Sequence, residues 1–67
     1  MIRLTVNGEA HEISGARTLD ELLVLLDVPL ANLVVERNGA VIAADELAQT
    51  PIADGDEIEL VRFVGGG

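Results

Sequence analysis

The sequence predicts an α+β domain, a small and mostly antiparallel sheet of four to five strands with one main helix across a single face. Three observations predict it: two Asn-Gly dipeptides each set between apolar runs, one well-signalled amphipathic helix, and an alternating apolar segment close to the last residues. At 67 residues there is room for one domain and one small core, and 49% of the residues are apolar, nearly all of them Leu, Ile, Val and Ala.

The first element follows from alternation. Ile2, Leu4 and Val6 interleave with Arg3, Thr5 and Asn7, the period of a half-buried strand. Asn7-Gly8 then suits a type I′ turn, which needs positive φ at both central positions. The return strand runs from Glu9 to about Ser14, with Ala10 and Glu12 on one face and His11 and Ile13 on the other. Thr18 followed by Glu21 reads as a capping box, and Asp20 and Glu21 place negative charge in the first helical turn. Leu19, Leu22, Leu23 and Leu26 form the i, i+3, i+4, i+7 stripe that lays one helix face on a core, and Pro29 is expected to stop the helix.

Leu33 to Arg37 is a β-branched-rich strand, and Asn38-Gly39 repeats the hairpin signal before Ala40-Val41-Ile42. A short helical turn is expected at Asp45-Glu46-Leu47, with turns at Thr50-Pro51 and Asp54-Gly55. The last strand spans Glu57 to Val64, with Ile58 and Leu60 inward, and Gly65, Gly66 and Gly67 follow it. A β-grasp arrangement, with first and last strands adjacent and parallel, accommodates this order. It divides the chain into a domain over 1–64 and a flexible glycine tail over 65–67.

Composition excludes several function classes. There are no cysteines, so disulfides, thiolate metal sites and a thiol nucleophile of the chain's own are ruled out. Twelve acidic residues against 4 basic ones give a formal charge of −8, which repels phosphate backbones and favours basic protein partners over nucleic acid. No apolar run reaches the length of a membrane span and no signal-peptide pattern opens the sequence, so a cytoplasmic protein without a membrane partner is expected. His11 is the sole histidine and lacks a second ligand at metal spacing; Asp54-Gly55-Asp56-Glu57 lacks the ligand alternation of a calcium loop. No nucleophile and base stand in a catalytic pattern, so no enzyme, bound metal or bound cofactor is expected. All four basic residues are arginines. That is either codon preference or a chain in which no lysine amine can attack an activated acyl group of its own.

The order and spacing of these motifs resemble the ThiS family of sulfur carriers over essentially the whole length. The resemblance rests on Asn7-Gly8, on Thr18-Leu19-Asp20-Glu21-Leu22-Leu23, and on Val34-Val35-Glu36-Arg37-Asn38-Gly39 with Val41-Ile42. Asp54-Gly55-Asp56, the apolar last strand and the terminal Gly66-Gly67 complete it. It implies a ubiquitin-like β-grasp fold and a carrier function in thiamine biosynthesis. A ThiF-like adenylating enzyme, using ATP and Mg, would activate the Gly67 carboxylate. A persulfide sulfur donor would convert it to a thiocarboxylate, and a ThiG-like thiazole synthase would take the sulfur. Gly65 departs from the family pattern, where many members carry a bulkier residue.

Glycine suits a tail that threads into a partner's site, because it lacks Cβ and accepts either sign of φ; the competing reading is a frayed end. Alternation also turns Val61 and Phe63 outward, beside Arg62, as a candidate docking surface; a bulge burying Phe63 is the alternative. Arg62 is either a contact for an acidic partner patch or a solvated strand-end charge. Within the fold, the small subunit of molybdopterin synthase is a second reading, disfavoured by the short stretch from Ile42 to Ile52, and other thiocarboxylate carriers share the same features. A non-catalytic β-grasp interaction module with incidental glycines is a reading of another class.

Overall fold

Both Asn-Gly pairs close hairpins in the predicted way. Asn7 (φ 51°) with Gly8 (φ 80°), and Asn38 (φ 52°) with Gly39 (φ 85°), carry the paired positive φ of type I′ turns. The first joins β1 (Ile2–Val6) to β2 (Glu9–Ile13), and the second joins β3 (Leu33–Arg37) to β4 (Ala40–Ile42). A computed structural model describes residues 1–64. The helix α1 (Leu19–Leu25) lies between the hairpins; a 3₁₀ helix (Ala44–Gln49) follows β4, and β5 (Glu57–Arg62) closes the sheet.

The strand order is β2-β1-β5-β3-β4. β5 sits at the centre, parallel to β1 (Thr5 beside Glu57, Val6 beside Ile58) and antiparallel to β3 from Leu33–Arg62 to Arg37–Ile58. This is the β-grasp arrangement. The helix covers one face: Leu19, Leu22 and Leu23 pack with Leu4, Val35 and Ile58 in a continuous core, and Leu26 adds to its edge. Leu47 of the 3₁₀ helix and Ile52 fill the end that α1 leaves open. Among the described residues, no helix is long and apolar enough to cross a membrane.

Four local expectations are corrected. The capping box does not form: Glu21 reaches one residue beyond Thr18 to accept the Arg17 N–H at 2.7 Å. The Thr18 hydroxyl donates to the Asp20 carboxylate, which also accepts the Glu21 N–H at 2.8 Å. The Glu21 amide that the box would satisfy is thus taken by Asp20, and the neighbouring Leu19 amide donates to the Thr50 carbonyl at 2.9 Å. Nor does Pro29 end the helix. Asp27 turns left-handed (φ 59°), and the bonds from Val28 N–H to Leu23 O and from Asp27 N–H to Val24 O make a Schellman cap before the proline is reached. The turn expected at residues 45–47 is longer, a 3₁₀ helix over six residues. Finally, β5 stops at Arg62 rather than Val64, because β3 begins at Leu33, the residue that pairs with Arg62.

Candidate functional site: the central strand and its outer face

β5 positions every residue of interest, and its two edges are held differently. Glu57 and Ile58 pair with β1, but the next residues run past the end of that strand. There the Asn7 side chain substitutes for a strand. Its Oδ1 accepts the Leu60 N–H at 2.7 Å, and its Nδ2 donates to the Leu60 carbonyl at 3.3 Å. On the other edge β3 accompanies β5 to its last residue. The strand that leads towards the glycines is therefore held on both edges as far as Leu60.

Alternation divides its side chains. Ile58 is buried and Leu60 packs against the core. Val61 and Phe63 are 50% and 52% exposed. Val61 pairs with Val34 across the β3 register, and Val41 of β4 is also exposed. In the next row Glu59 stands directly opposite Glu36, whose partner on the far side is Val41. The outer face thus sets valines beside an acidic couple that has no basic partner among the described residues, a surface matched by an apolar partner patch with basic groups at its margin. Gly65, Gly66 and Gly67 lie outside the described residues.

Arg62 is exposed, and its side chain folds back on its own chain. Its guanidinium donates to the carbonyls of Ala31 and, at 2.9 Å, of Pro29. No signal in the sequence pairs Arg62 with the segment after α1, because the contact is set by how the helix returns to the sheet.

A second polar cluster, also missed from sequence, sits at the other end of β5. Asp56 is 5% exposed. Its Oδ2 accepts Arg37 Nε at 2.9 Å and the Ala53 N–H at 2.8 Å, and its Oδ1 accepts Asn38 Nδ2 at 3.0 Å. Burial pushes this carboxyl up, but the Asn38 amide, the Ala53 N–H and the Arg37 guanidinium outweigh it and hold the pKa below the ordinary carboxylate value. Asn38 Oδ1 in turn accepts the Glu57 N–H at 2.9 Å, so the cluster fixes the start of β5. Its groups satisfy one another, which suits a structural knot. His11 Nε2 lies 3.3 Å from Glu9, and among the described residues no three His, Cys, Asp or Glu side chains converge on a metal position.

Comparison with known proteins agrees with this architecture. The ThiS family model matches residues 4–67. A crystal structure of the thiamine biosynthesis protein ThiS from Geobacter metallireducens superposes with a TM-score of 0.84 at 39% identity, covering 98% of this chain and 100% of that one. The sulfur carrier protein ThiS of Bacillus subtilis is 36% identical over 75% of this chain and 76% of its own length. The thiazole synthase of Paramagnetospirillum magneticum is 38% identical over 98% of this chain, which spans only 20% of that longer protein. With the family pattern matched from β1 to the last glycine, the chain belongs to the ThiS family.

Proposed function

We infer that the protein is a sulfur carrier for thiazole formation in thiamine biosynthesis, its working group the Gly67 carboxylate and its partners enzymes that act on it. The observation that supports this reading is the ThiS family match, which runs through the central strand β5 and on to Gly67 in the sequence. Glycine lacks Cβ and so suits entry into a narrow partner channel.

A carboxylate resists substitution because it has no good leaving group. A carboxylate oxygen of Gly67 attacks the α-phosphorus of ATP in a ThiF-like enzyme, pyrophosphate departs, and Mg bound there neutralises the phosphates. The terminal sulfur of a persulfide donor then attacks the acyl carbon and AMP leaves. Reductive cleavage of the resulting sulfur–sulfur bond by a thiol gives the thiocarboxylate. The carrier supplies no acid, base or metal to these steps. Thiazole synthase as acceptor is supported by the Paramagnetospirillum magneticum protein, in which a region similar to this chain belongs to a thiazole synthase. Val61 and Phe63 are assigned to docking on the activating enzyme, with Glu36 and Glu59 meeting basic groups there.

The test is reconstitution with a ThiF-like enzyme, ATP, magnesium, a persulfide donor and thiol, read by intact mass. Exchange of one oxygen for sulfur is expected. An unchanged mass with no ATP–pyrophosphate exchange, from an activator proven on another carrier, would move the assignment to a different pathway or to an interaction module.

A further inference from the structure

The loop between α1 and β3 presents four consecutive carbonyls, and all four are occupied. Pro29 and Ala31 accept the two terminal nitrogens of Arg62, Leu30 accepts the Leu33 N–H at 3.2 Å, and Asn32 accepts the Phe63 N–H at 3.0 Å. Three of the four donors therefore come from two successive residues, Arg62 and Phe63. Asn32 is itself left-handed (φ 55°), a conformation asparagine tolerates better than most residues. On its opposite edge this end of β5 has no strand beside it, since the β1 pairing stops at Ile58 and the Asn7 clamp at Leu60.

Of the other arginines, Arg3 pairs with Glu12 and Arg37 with Asp56. Arg62 is the one whose guanidinium donates to backbone carbonyls among the described residues. A planar fork can bridge carbonyls two residues apart, whereas an ammonium offers a single nitrogen. We propose that Arg62 is a positioning residue: its fork onto Pro29 and Ala31 pins the end of β5 to the α1–β3 loop and fixes where the chain leaves the sheet for the partner's site. The consequence for catalysis rests on the carrier reading above; the pin itself does not.

Without the fork, Arg62 keeps its β3 pairing with Leu33 and Phe63 only the bond from its amide to the Asn32 carbonyl, and the point of release moves back from Val64 towards Arg62. A partner must then order up to two more residues on binding. Backbone ordering of that extent, reduced by what β3 pairing remains, corresponds to about a tenfold loss in kcat/KM for activation. The loss falls in KM, because the reacting carboxylate is unchanged.

The experiment compares wild type, Arg62→Ala and Arg62→Lys in two measurements. Amide hydrogen exchange on the free protein reads the pin, with the Ile52 amide, bonded to the Arg17 carbonyl at 2.9 Å, as a remote control for folding. Steady-state ATP–pyrophosphate exchange with a ThiF-like enzyme reads the consequence. Both variants are expected to lose protection at the Phe63 amide while Ile52 keeps it, and to raise KM about tenfold at constant kcat. Unchanged Phe63 protection in Arg62→Ala overturns the proposal. So does an Arg62→Lys variant that matches wild type in both measurements, which would make Arg62 a charge for the partner to read. Lost Phe63 protection in a protein that no activator adenylates upholds the pin and overturns the carrier reading instead.

Discussion

Replacing Asp56 by Asn tests how the start of β5 is held. The substitution keeps the side-chain shape and removes the charge. One of the two carboxylate oxygens becomes an NH₂ group, and every neighbour in reach is a donor: Asn38 Nδ2 on one side, Arg37 Nε and the Ala53 N–H on the other. Asn38 cannot flip to help, because its Oδ1 already accepts the Glu57 N–H. Hydrogen bonds to a charged group contribute about 1.5–3 kcal/mol each, and a buried donor left unpaired costs about 1–3 kcal/mol. Arg37 keeps 29% of its side chain exposed and recovers part of its loss through water. The expected destabilisation is about 3 kcal/mol, within the roughly 3–5 kcal/mol for breaking a buried charge pair. For a chain of this length the whole stability is of order 3–10 kcal/mol, so the effect is large.

The pH dependence has a definite sign. The Asp56 carboxyl has a lowered pKa in the folded protein. Its contribution is therefore present in full above the unfolded carboxylate value of about 3.9 and is lost as pH falls through the lower folded value. Urea unfolding of wild type and Asp56→Asn at pH 7, and in steps below pH 5, should show a gap of about 3 kcal/mol that holds to near pH 4 and then narrows. A gap under about 1 kcal/mol at pH 7, or one that stays constant through the acid range, would refute the reasoning.

Two further predictions concern the helix end and the outer face. Asp27→Gly relieves a left-handed residue at the Schellman cap and is expected to stabilise the domain by about 0.5–1 kcal/mol, read as a higher urea midpoint; a lower midpoint would show that Asp27 makes a contribution other than its conformation. Phe63→Ala, at a half-exposed site, should leave the unfolding free energy within about 0.5 kcal/mol of wild type while weakening activation by the ThiF-like enzyme. Normal activation of that folded variant would remove Phe63 from the docking surface.

What could be read from sequence was local. The two Asn-Gly turns, the leucine stripe and the alternation that exposes Val61 and Phe63 depend on neighbours a few residues away, and the structure has them as read. What could not be read involves partners far along the chain. The Thr50 carbonyl reaches the first turn of α1 and takes the Leu19 amide. Asn7 was legible as a turn residue, but not as the clamp on Leu60. Asp27 carries a conformation usually marked by glycine, so the nearby Pro29 drew attention to the wrong stop. Arg62 and Asp56, the two charges that fix the ends of β5, looked like solvent-facing residues until the sheet order brought their partners to them.

The most direct test of the carrier assignment is made at Gly67 itself. Wild type, a chain lacking Gly67 and a chain extended by one alanine are incubated with a ThiF-like enzyme, ATP, magnesium, a persulfide donor and thiol, and their intact masses recorded. The account predicts sulfur-for-oxygen exchange in wild type and in neither altered chain, although all three fold alike. Sulfur gained by the extended chain, or by none of the three with an activator proven on another carrier, would contradict it.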